Sequence, residues 1–108
     1  MIIVHIKHME NGSIAGFSVK GHANYAKSGE DIVCAGVSAV TVGTVNSIEA
    51  LTGVVLNSRM KDGFLSADLP ELPHDHVFDE IQLLMKSMAV MLETIATSYG
   101  KYIEIHNS

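Results

Sequence analysis

A stripe of apolar residues near the C-terminal end is the sequence feature that most restricts how this chain folds. After Pro70 and Pro73, apolar side chains recur at helical spacing as far as Gly100, namely Val77, Ile81, Leu84, Met85, Met88, Leu92, Ile95 and Tyr99. This spacing predicts an amphipathic helix, and Gly100 is its predicted C-cap. Because one helix cannot bury its own apolar face, the rest of the chain must supply a second layer.

Five shorter segments have the apolar alternation of strands and can form that layer. Glu10-Asn11-Gly12-Ser13 is a predicted turn that joins the first two strands into a hairpin, and Lys61-Asp62-Gly63 joins the next two. The predicted strands are residues 2–9, 14–20, 54–60, 64–69 and 101–106.

A second helix is predicted for residues 32–51, between Asp31 and Gly53. Its many small and β-branched residues are poor helix formers in isolation, so tertiary packing must stabilise it. The predicted order is β-β-α-β-β-α-β, an α+β fold with two helices packed on one face of a mostly antiparallel sheet. Because the chain has 108 residues and no Pro/Gly/Ser-rich linker, we expect residues 1–108 to form one domain.

Cysteine content and hydropathy favour a cytoplasmic location. A single cysteine, Cys34, excludes an internal disulfide and is compatible with a reducing compartment. The apolar N-terminus alternates and contains His5 and Lys7, which is typical of a strand and not of a signal peptide. We also expect no membrane partner, because the apolar stretch 32–45 is short and interrupted by Gly, Ser and Thr.

The charge balance disfavours direct binding to nucleic acid. The net charge is −5, from 7 basic and 12 acidic residues, and no cluster of Lys or Arg stands out. Affinity for nucleic-acid backbones depends on neutralising phosphates, which this chain is poorly equipped to do. A basic protein partner, by contrast, suits the negative charge.

Cys34 and His22 are the residues from which we expect chemistry. If Asp31 is the N-cap of the helix, Cys34 falls at position N3, where backbone N–H groups and the helix dipole favour the nucleophilic thiolate. The same free amides are suited to hold the oxyanion of a tetrahedral intermediate. His22, which ends a strand before the loop that leads to the helix, is the predicted base.

Each of these residues also has a purely structural interpretation. Cys34 can be a small buried hydrophobe, and His22 can be a loop histidine without a catalytic task. Asp31 either only caps the helix or orients His22. Ser38, one turn after Cys34, either hydrogen-bonds near the thiol or the substrate, or allows close helix packing. Gly21 either lets the backbone bend or approach a substrate beside His22, or is a simple turn glycine.

Histidine content alone does not predict a metal site. The chain has six histidines, and His74-Asp75-His76 is the densest group of ligand types. Adjacent residues point in different directions, and no cysteine or second histidine pair lies at structural-zinc spacing. His5 and His8 are expected on opposite faces of their strand. We therefore predict no metal and no cofactor.

Two short motifs resemble a known family. Gly21-His22-Ala23, a loop of suitable size, and Asp31-Ile-Val-Cys34-Ala-Gly-Val-Ser38 resemble the signature of the ribosomal-processing cysteine protease family Prp, and the element order is similar. The resemblance implies a cysteine endopeptidase that trims the N-terminal extension of ribosomal large-subunit protein twenty-seven during bacterial ribosome maturation. It implies that His22 and Cys34 form the catalytic dyad, with Gly21, Asp31 and Ser38 in support. It also implies a homodimer with a mobile loop between the two catalytic residues.

Two other functions compete with this interpretation. One is a non-catalytic ribosome-associated domain that docks on basic proteins, in which Cys34 is merely packed. The other is a different thiol enzyme, such as a thioesterase or a redox sensor. The absence of a second cysteine disfavours dithiol chemistry.

Overall fold

The computed structural model describes residues 1–108 and has the predicted order β-β-α-β-β-α-β. Its elements are β1 (Ile2–His8), β2 (Ile14–Lys20), α1 (Ile32–Thr52), β3 (Asn57–Lys61), β4 (Phe64–Asp68), α2 (His76–Tyr99) and β5 (Ile103–Asn107). The five strands form one sheet in the order β3-β4-β2-β1-β5. Neighbouring strands are antiparallel except for the parallel pair β1 and β5, so the predicted α+β fold with a mostly antiparallel sheet is confirmed.

One face of the sheet is apolar and buried. Along β1, Ile2, Val4 and Ile6 are at most 2% exposed, and the residues between them are only partly buried. Phe17 of β2 continues this face, because it pairs in register with Ile6 on one side and with Ala67 on the other. These strand residues and the buried residues of both helices form a single core, as expected when two helices cover one face of a sheet.

Helix α1 buries polar side chains without leaving their hydroxyl groups unpaired. Thr41 and Thr44 are buried, and their hydroxyls donate to the carbonyl oxygens of Val37 and Val40 at 2.8 and 2.6 Å. The helix ends at Gly53, whose φ of 79° is left-handed and suits glycine. Both predicted ends of this helix therefore agree with the structure to within one residue.

Helix α1 also has a length and composition that would allow it to cross a membrane, with a mean hydropathy of 1.4. The expectation of a stretch too short for that purpose holds for residues 32–45 but not for the complete helix of 21 residues. The same length and composition occur in core helices of globular proteins. In this structure Val33, Val37 and Ile48 of the helix contribute to the core.

Helix α2 carries the apolar stripe and one buried amide. Ile81, Met85, Met88 and Leu92 are fully buried in the core. Gln82 is also buried, and its side chain accepts from the N–H of Ile14 at 2.8 Å and donates to the Ile14 carbonyl at 2.9 Å. The amide thus satisfies both backbone groups of the first residue of β2.

The predicted strand ends differ from the observed ones where loops contribute to the core. Strand β3 begins at Asn57 and not at residue 54, because Leu56 is buried as part of the connection from α1. Strand β5 begins at Ile103 and not at residue 101, because the N–H of Tyr102 closes a turn on the Tyr99 carbonyl at 2.9 Å. Gly100 occupies the C-cap of α2 with a right-handed φ of −60°, so the left-handed freedom of glycine is unused there.

Candidate active site

A cleft of about 730 Å³ opens beside the start of α1. Its walls include the first three turns of α1, the segment that follows β2, and the turn between β3 and β4. The structure brings all five residues singled out in the sequence to this one cleft, namely Gly21, His22, Asp31, Cys34 and Ser38.

Cys34 lies in the first turn of α1, at the position predicted from the sequence. Asp31 is the N-cap, and its Oδ1 accepts from the N–H groups of Val33 and Cys34, both at 3.0 Å. The thiol is half-buried and lines the cleft, and its Sγ accepts a hydrogen bond from the N–H of Ala23 at 3.3 Å. This backbone donor and the N-terminal end of the helix dipole both favour negative charge on the sulfur.

The Asp31 carboxylate is fully engaged by the backbone. Besides the two helix amides, its Oδ2 accepts from the N–H groups of Tyr25 at 3.0 Å and Ala26 at 3.4 Å. These bonds lower the pKa of Asp31 below its ordinary value of 3.8, with the Cys34 amide as the largest cause and desolvation acting in the opposite direction. Of the two interpretations of Asp31, the structure therefore favours capping, extended to the connecting loop, over orientation of His22.

His22 lies two residues after the end of β2, and the left-handed backbone of Gly21 positions it. Gly21 has a φ of 88°, and a Cβ on it would lie 2.5 Å from the carbonyl oxygen of Met1. Its N–H donates to the Gly63 carbonyl at 2.8 Å, which joins this segment to the turn between β3 and β4. Glycine is therefore required at position 21, because the backbone is left-handed there and because a side chain would collide with the Met1 carbonyl.

The imidazole of His22 is 54% exposed and faces the turn between β3 and β4. Its Nε2 lies 3.8 Å from Oδ2 of Asp62, and a Cβ built on Gly63 would come within 2.9 Å of the same nitrogen. No hydrogen bond joins this ring to Cys34 in the structure. The two residues therefore share the cleft, and a proton transfer between them requires the imidazole to move.

Three amides of the first helical turn already have acceptors within the protein, which limits their availability for the oxyanion that the sequence-based expectation assigned to them. Those of Val33 and Cys34 are bound by the Asp31 side chain, and that of Ala35 donates to the Asp31 carbonyl at 3.0 Å. The backbone donor that is hydrogen-bonded to the sulfur is the N–H of Ala23. The expectation treated the capping carboxylate and the oxyanion as independent, although they compete for the same donors.

Ser38 is exposed one turn after Cys34 and lines the cleft. Its hydroxyl has no hydrogen-bond partner within the protein, and the side chain does not belong to the core. This position fits the substrate-facing interpretation of Ser38 better than close helix packing.

The connecting loop, residues 23–30, is anchored at its beginning. The Tyr25 ring makes edge-to-face contacts with the rings of Tyr99 and Tyr102, at centroid distances of 5.7 and 5.2 Å. The preceding residue, Asn24, has a left-handed φ of 56°, which asparagine tolerates better than most residues. From Lys27 to Glu30 the loop is exposed, so the anchored and exposed parts are distinct.

The histidines considered as metal ligands have other partners. His74 stacks on Phe78 at a centroid distance of 4.0 Å, and Asp75 caps α2. His5 bonds the hydroxyl of Ser108 at 2.7 Å, and His8 bonds the side chain of Asn107 at 3.0 Å. No group of three or more His, Cys, Asp or Glu side chains is placed to hold a metal ion.

Sequence reasoning missed the contribution of the turn between β3 and β4 to this site. The sequence predicts Asp62 and Gly63 only as a hairpin turn and Met60 as the end of a strand, whereas all three line the cleft and Met60 is 69% exposed. The Asp-Gly signal gave the correct turn. Its proximity to His22 depends on the pairing of β2 with β4, which no local pattern indicates.

Comparisons with known proteins agree with the motifs at this site. The family model described as Cysteine protease Prp matches residues 1–104. The ribosomal processing cysteine protease Prp of Bacillus subtilis (strain 168) is 38% identical over 107 residues, covering 97% of this chain and 96% of its own.

Solved structures agree in fold over the complete chain. A crystal structure of the essential ribosomal processing protease Prp from S. aureus, in complex with a covalently linked product peptide, has a TM-score of 0.90 at 34% identity and full coverage of both chains. A second structure of that protease, in complex with a substrate peptide, has a TM-score of 0.85 at 34% identity, again with full coverage of both chains. The chain therefore belongs to the Prp family and is a cysteine protease.

Proposed function

We propose that this member of the Prp family removes the N-terminal extension of ribosomal large-subunit protein twenty-seven during bacterial ribosome maturation. The observation that carries the proposal is the Cys34 thiol, which opens into a cleft at the capped start of α1 with His22 on the same cleft. Support for a ribosomal-protein substrate comes from the names of the relatives, which are ribosomal processing proteases, and from the substrate peptide bound to one of them.

The proposed mechanism begins with proton transfer from Cys34 to His22. The sulfur then attacks the scissile carbonyl, and His22 returns the proton to the leaving amine as an acyl-enzyme forms. Water, deprotonated by His22, releases the acyl group and regenerates the thiol. The N–H of Ala23, which donates to Sγ in the free protein, is the backbone donor best placed to follow the charge as it moves to the oxyanion.

Closure of the connecting loop over the bound peptide is part of this proposal. Lys27, Ser28, Gly29 and Glu30 are exposed, and Ser28 and Gly29 line the cleft. Binding of an uncleaved substrate peptide to the Cys34→Ala variant should slow amide hydrogen exchange in residues 26–30. Equal exchange with and without peptide would contradict closure.

The decisive experiment incubates the protein and its Cys34→Ala variant with the N-terminally extended ribosomal protein, followed by mass measurement of the products. We expect two fragments from a single cut with the wild-type protein and none with the variant. Cleavage by both proteins, or by neither, would overturn the substrate assignment. A Glu10→Gln variant, substituted in an exposed turn outside the cleft, should cut like the wild-type protein and is the control.

Two further properties belong to the proposal. We propose that the protein acts in the cytoplasm, which agrees with a single unpaired cysteine, and that it acts without direct contact to nucleic acid or membrane.

We also propose a homodimer. Leu83 and Val90 of α2, seven residues apart and 71% and 67% exposed, are candidates for the contact. Mass measurement in solution, with a Leu83→Lys/Val90→Lys variant, tests both the dimer and this surface.

A further inference from the structure

We propose that Asp62 and Gly63, in the turn between β3 and β4, are positioning residues for His22. The proposal rests on the proposed function in that it assigns His22 the role of base. In this arrangement Gly63 provides a surface without a side chain against which the imidazole lies, and Asp62 provides a carboxylate for its Nε2. When the ring turns toward the sulfur with Nε2 still beside Asp62, Nδ1 is the nitrogen that exchanges a proton with Cys34.

The steric part of the arrangement depends on Gly63. A Cβ at this position would lie 2.9 Å from Nε2, 3.5 Å from Cδ2 and 3.6 Å from Cε1 of His22, so the ring occupies the space that a side chain would take. The φ of Gly63 is 70°, and its carbonyl accepts from the N–H of Gly21 at 2.8 Å. The turn therefore holds the backbone before His22 and contacts its ring at the same time.

The electrostatic part depends on Asp62. Its Oδ2 lies 3.8 Å from Nε2 of His22, and no other acidic side chain forms an ion pair with this ring. When Cys34 transfers its proton to Nδ1, the imidazole becomes a cation, and the carboxylate stabilises that cation across Nε2–H. Because Asp62 is 97% exposed, the effect should be moderate and should weaken as salt is added.

Two carboxylates line the cleft, those of Asp31 and Asp62. Asp31 binds four backbone amides around Cys34 and forms no hydrogen bond or ion pair with the histidine, so it holds the nucleophile. Asp62 lies in the turn between β3 and β4, and its one ion pair is with the histidine. The two carboxylates thus act on different members of the catalytic pair.

The first test compares Asp62→Asn with Glu10→Gln, which removes an equal charge from an exposed turn outside the cleft. We expect Asp62→Asn to lower kcat for an extended substrate peptide roughly threefold to fivefold at low salt with KM unchanged, and the difference to shrink near 1 M salt. Asp62→Glu should restore part of the rate. Wild-type kcat in Asp62→Asn at low salt would overturn the role of Asp62.

The second test compares Gly63→Ala with Gly12→Ala. Both glycines lie in hairpin turns with positive φ, but a Cβ on Gly12 would meet nothing within 4 Å. The two variants should therefore lose similar stability, and only Gly63→Ala should lose kcat, by about tenfold or more, because the imidazole must give way. Equal kcat in the two variants at equal stability would overturn the role of Gly63.

A readout independent of peptide cleavage separates this inference from the proposed function. The rate at which iodoacetamide alkylates Cys34 near neutral pH reports the thiolate that His22 maintains. We expect Asp62→Asn to slow alkylation in the wild-type background and to have no effect in a His22→Ala background. If the wild-type protein fails to cut the ribosomal substrate but this pattern holds, the function fails and the positioning role stands. An equal effect of Asp62→Asn in both backgrounds would overturn the positioning role.

Discussion

The backbone N–H of Ala23 donates a hydrogen bond to Sγ of Cys34 across 3.3 Å, so the residue that follows His22 is tied directly to the sulfur. The segment that carries the base and the helix that carries the nucleophile are therefore joined through the backbone. The imidazole itself contacts the turn between β3 and β4, at Asp62 and Gly63. This arrangement keeps the catalytic pair close while the side chain of His22 retains freedom to turn.

Removing the Asp31 carboxylate should lower catalytic activity by more than the accompanying loss of folding stability explains. Asp31→Ala removes hydrogen bonds to four backbone amides, two in α1 and two in the connecting loop, and so loosens the surroundings of Cys34. We expect kcat/KM to fall by about tenfold or more, since small displacements of reacting groups have large kinetic effects. Asp75→Ala is the matched control, because Asp75 caps α2 through the amides of Val77 and Phe78. If both variants lose activity equally, the special role of Asp31 is refuted.

The same carboxylate should make stability depend on acid pH. Its folded-state pKa is lowered, chiefly by the Cys34 amide, so the stabilisation is complete above the unfolded-state value near 3.8. It decreases as the pH falls through the lower folded-state pKa, because the carboxyl must then be protonated. Urea midpoints measured between about pH 6 and pH 2.5 should fall less steeply for Asp31→Asn than for the wild-type protein. Parallel curves would contradict the assignment.

Ser38 provides a test of the open part of the cleft. Its hydroxyl is exposed and unpaired, so Ser38→Ala should change stability by no more than about 0.5 kcal/mol. If the hydroxyl binds the peptide, KM should rise about threefold to tenfold with kcat less affected, which corresponds to one hydrogen bond. Ser38→Leu, which fills the space, should abolish cleavage while leaving alkylation of Cys34 by a small reagent measurable. Unchanged kinetics in both variants would exclude Ser38 from the binding site.

The local features of the site were predictable from the sequence, and the long-range ones were not. The Asp31 cap and the position of Cys34 follow from residues that are adjacent in the chain, where capping rules apply directly. The contact between His22 and Asp62 spans 40 positions and depends on how β2 pairs with β4. Similarly, the parallel placement of β5 beside β1 depends on the whole sheet, since the alternation of a strand does not specify its neighbour.

The anchor of the connecting loop should control its mobility. Tyr25 packs edge-to-face on Tyr99 and Tyr102, and such aromatic pairs contribute about 0.5–1.5 kcal/mol when buried. Tyr25 is 42% exposed, so we expect a smaller loss in Tyr25→Ala and a local effect. Amide exchange of residues 24–30 should accelerate while that of α2 stays unchanged. Tyr25→Phe, which keeps the ring, is the control and should behave like the wild-type protein.

Gln82 of α2 is polar but almost completely buried, and the apolar stripe of the sequence does not predict this burial. Its amide makes two hydrogen bonds to the backbone of Ile14, at the first residue of β2. Gln82→Met keeps the approximate length of the side chain but leaves a buried N–H and a buried carbonyl unpaired, so it should reduce the free energy of unfolding by about 2–4 kcal/mol. Glu93→Gln, at an exposed position of the same helix, should stay within about 0.5 kcal/mol of wild type. Urea denaturation of both variants measures the difference. A loss in Gln82→Met no larger than in Glu93→Gln would mean that water replaces the amide at Ile14 and that α2 does not hold the start of β2 in place.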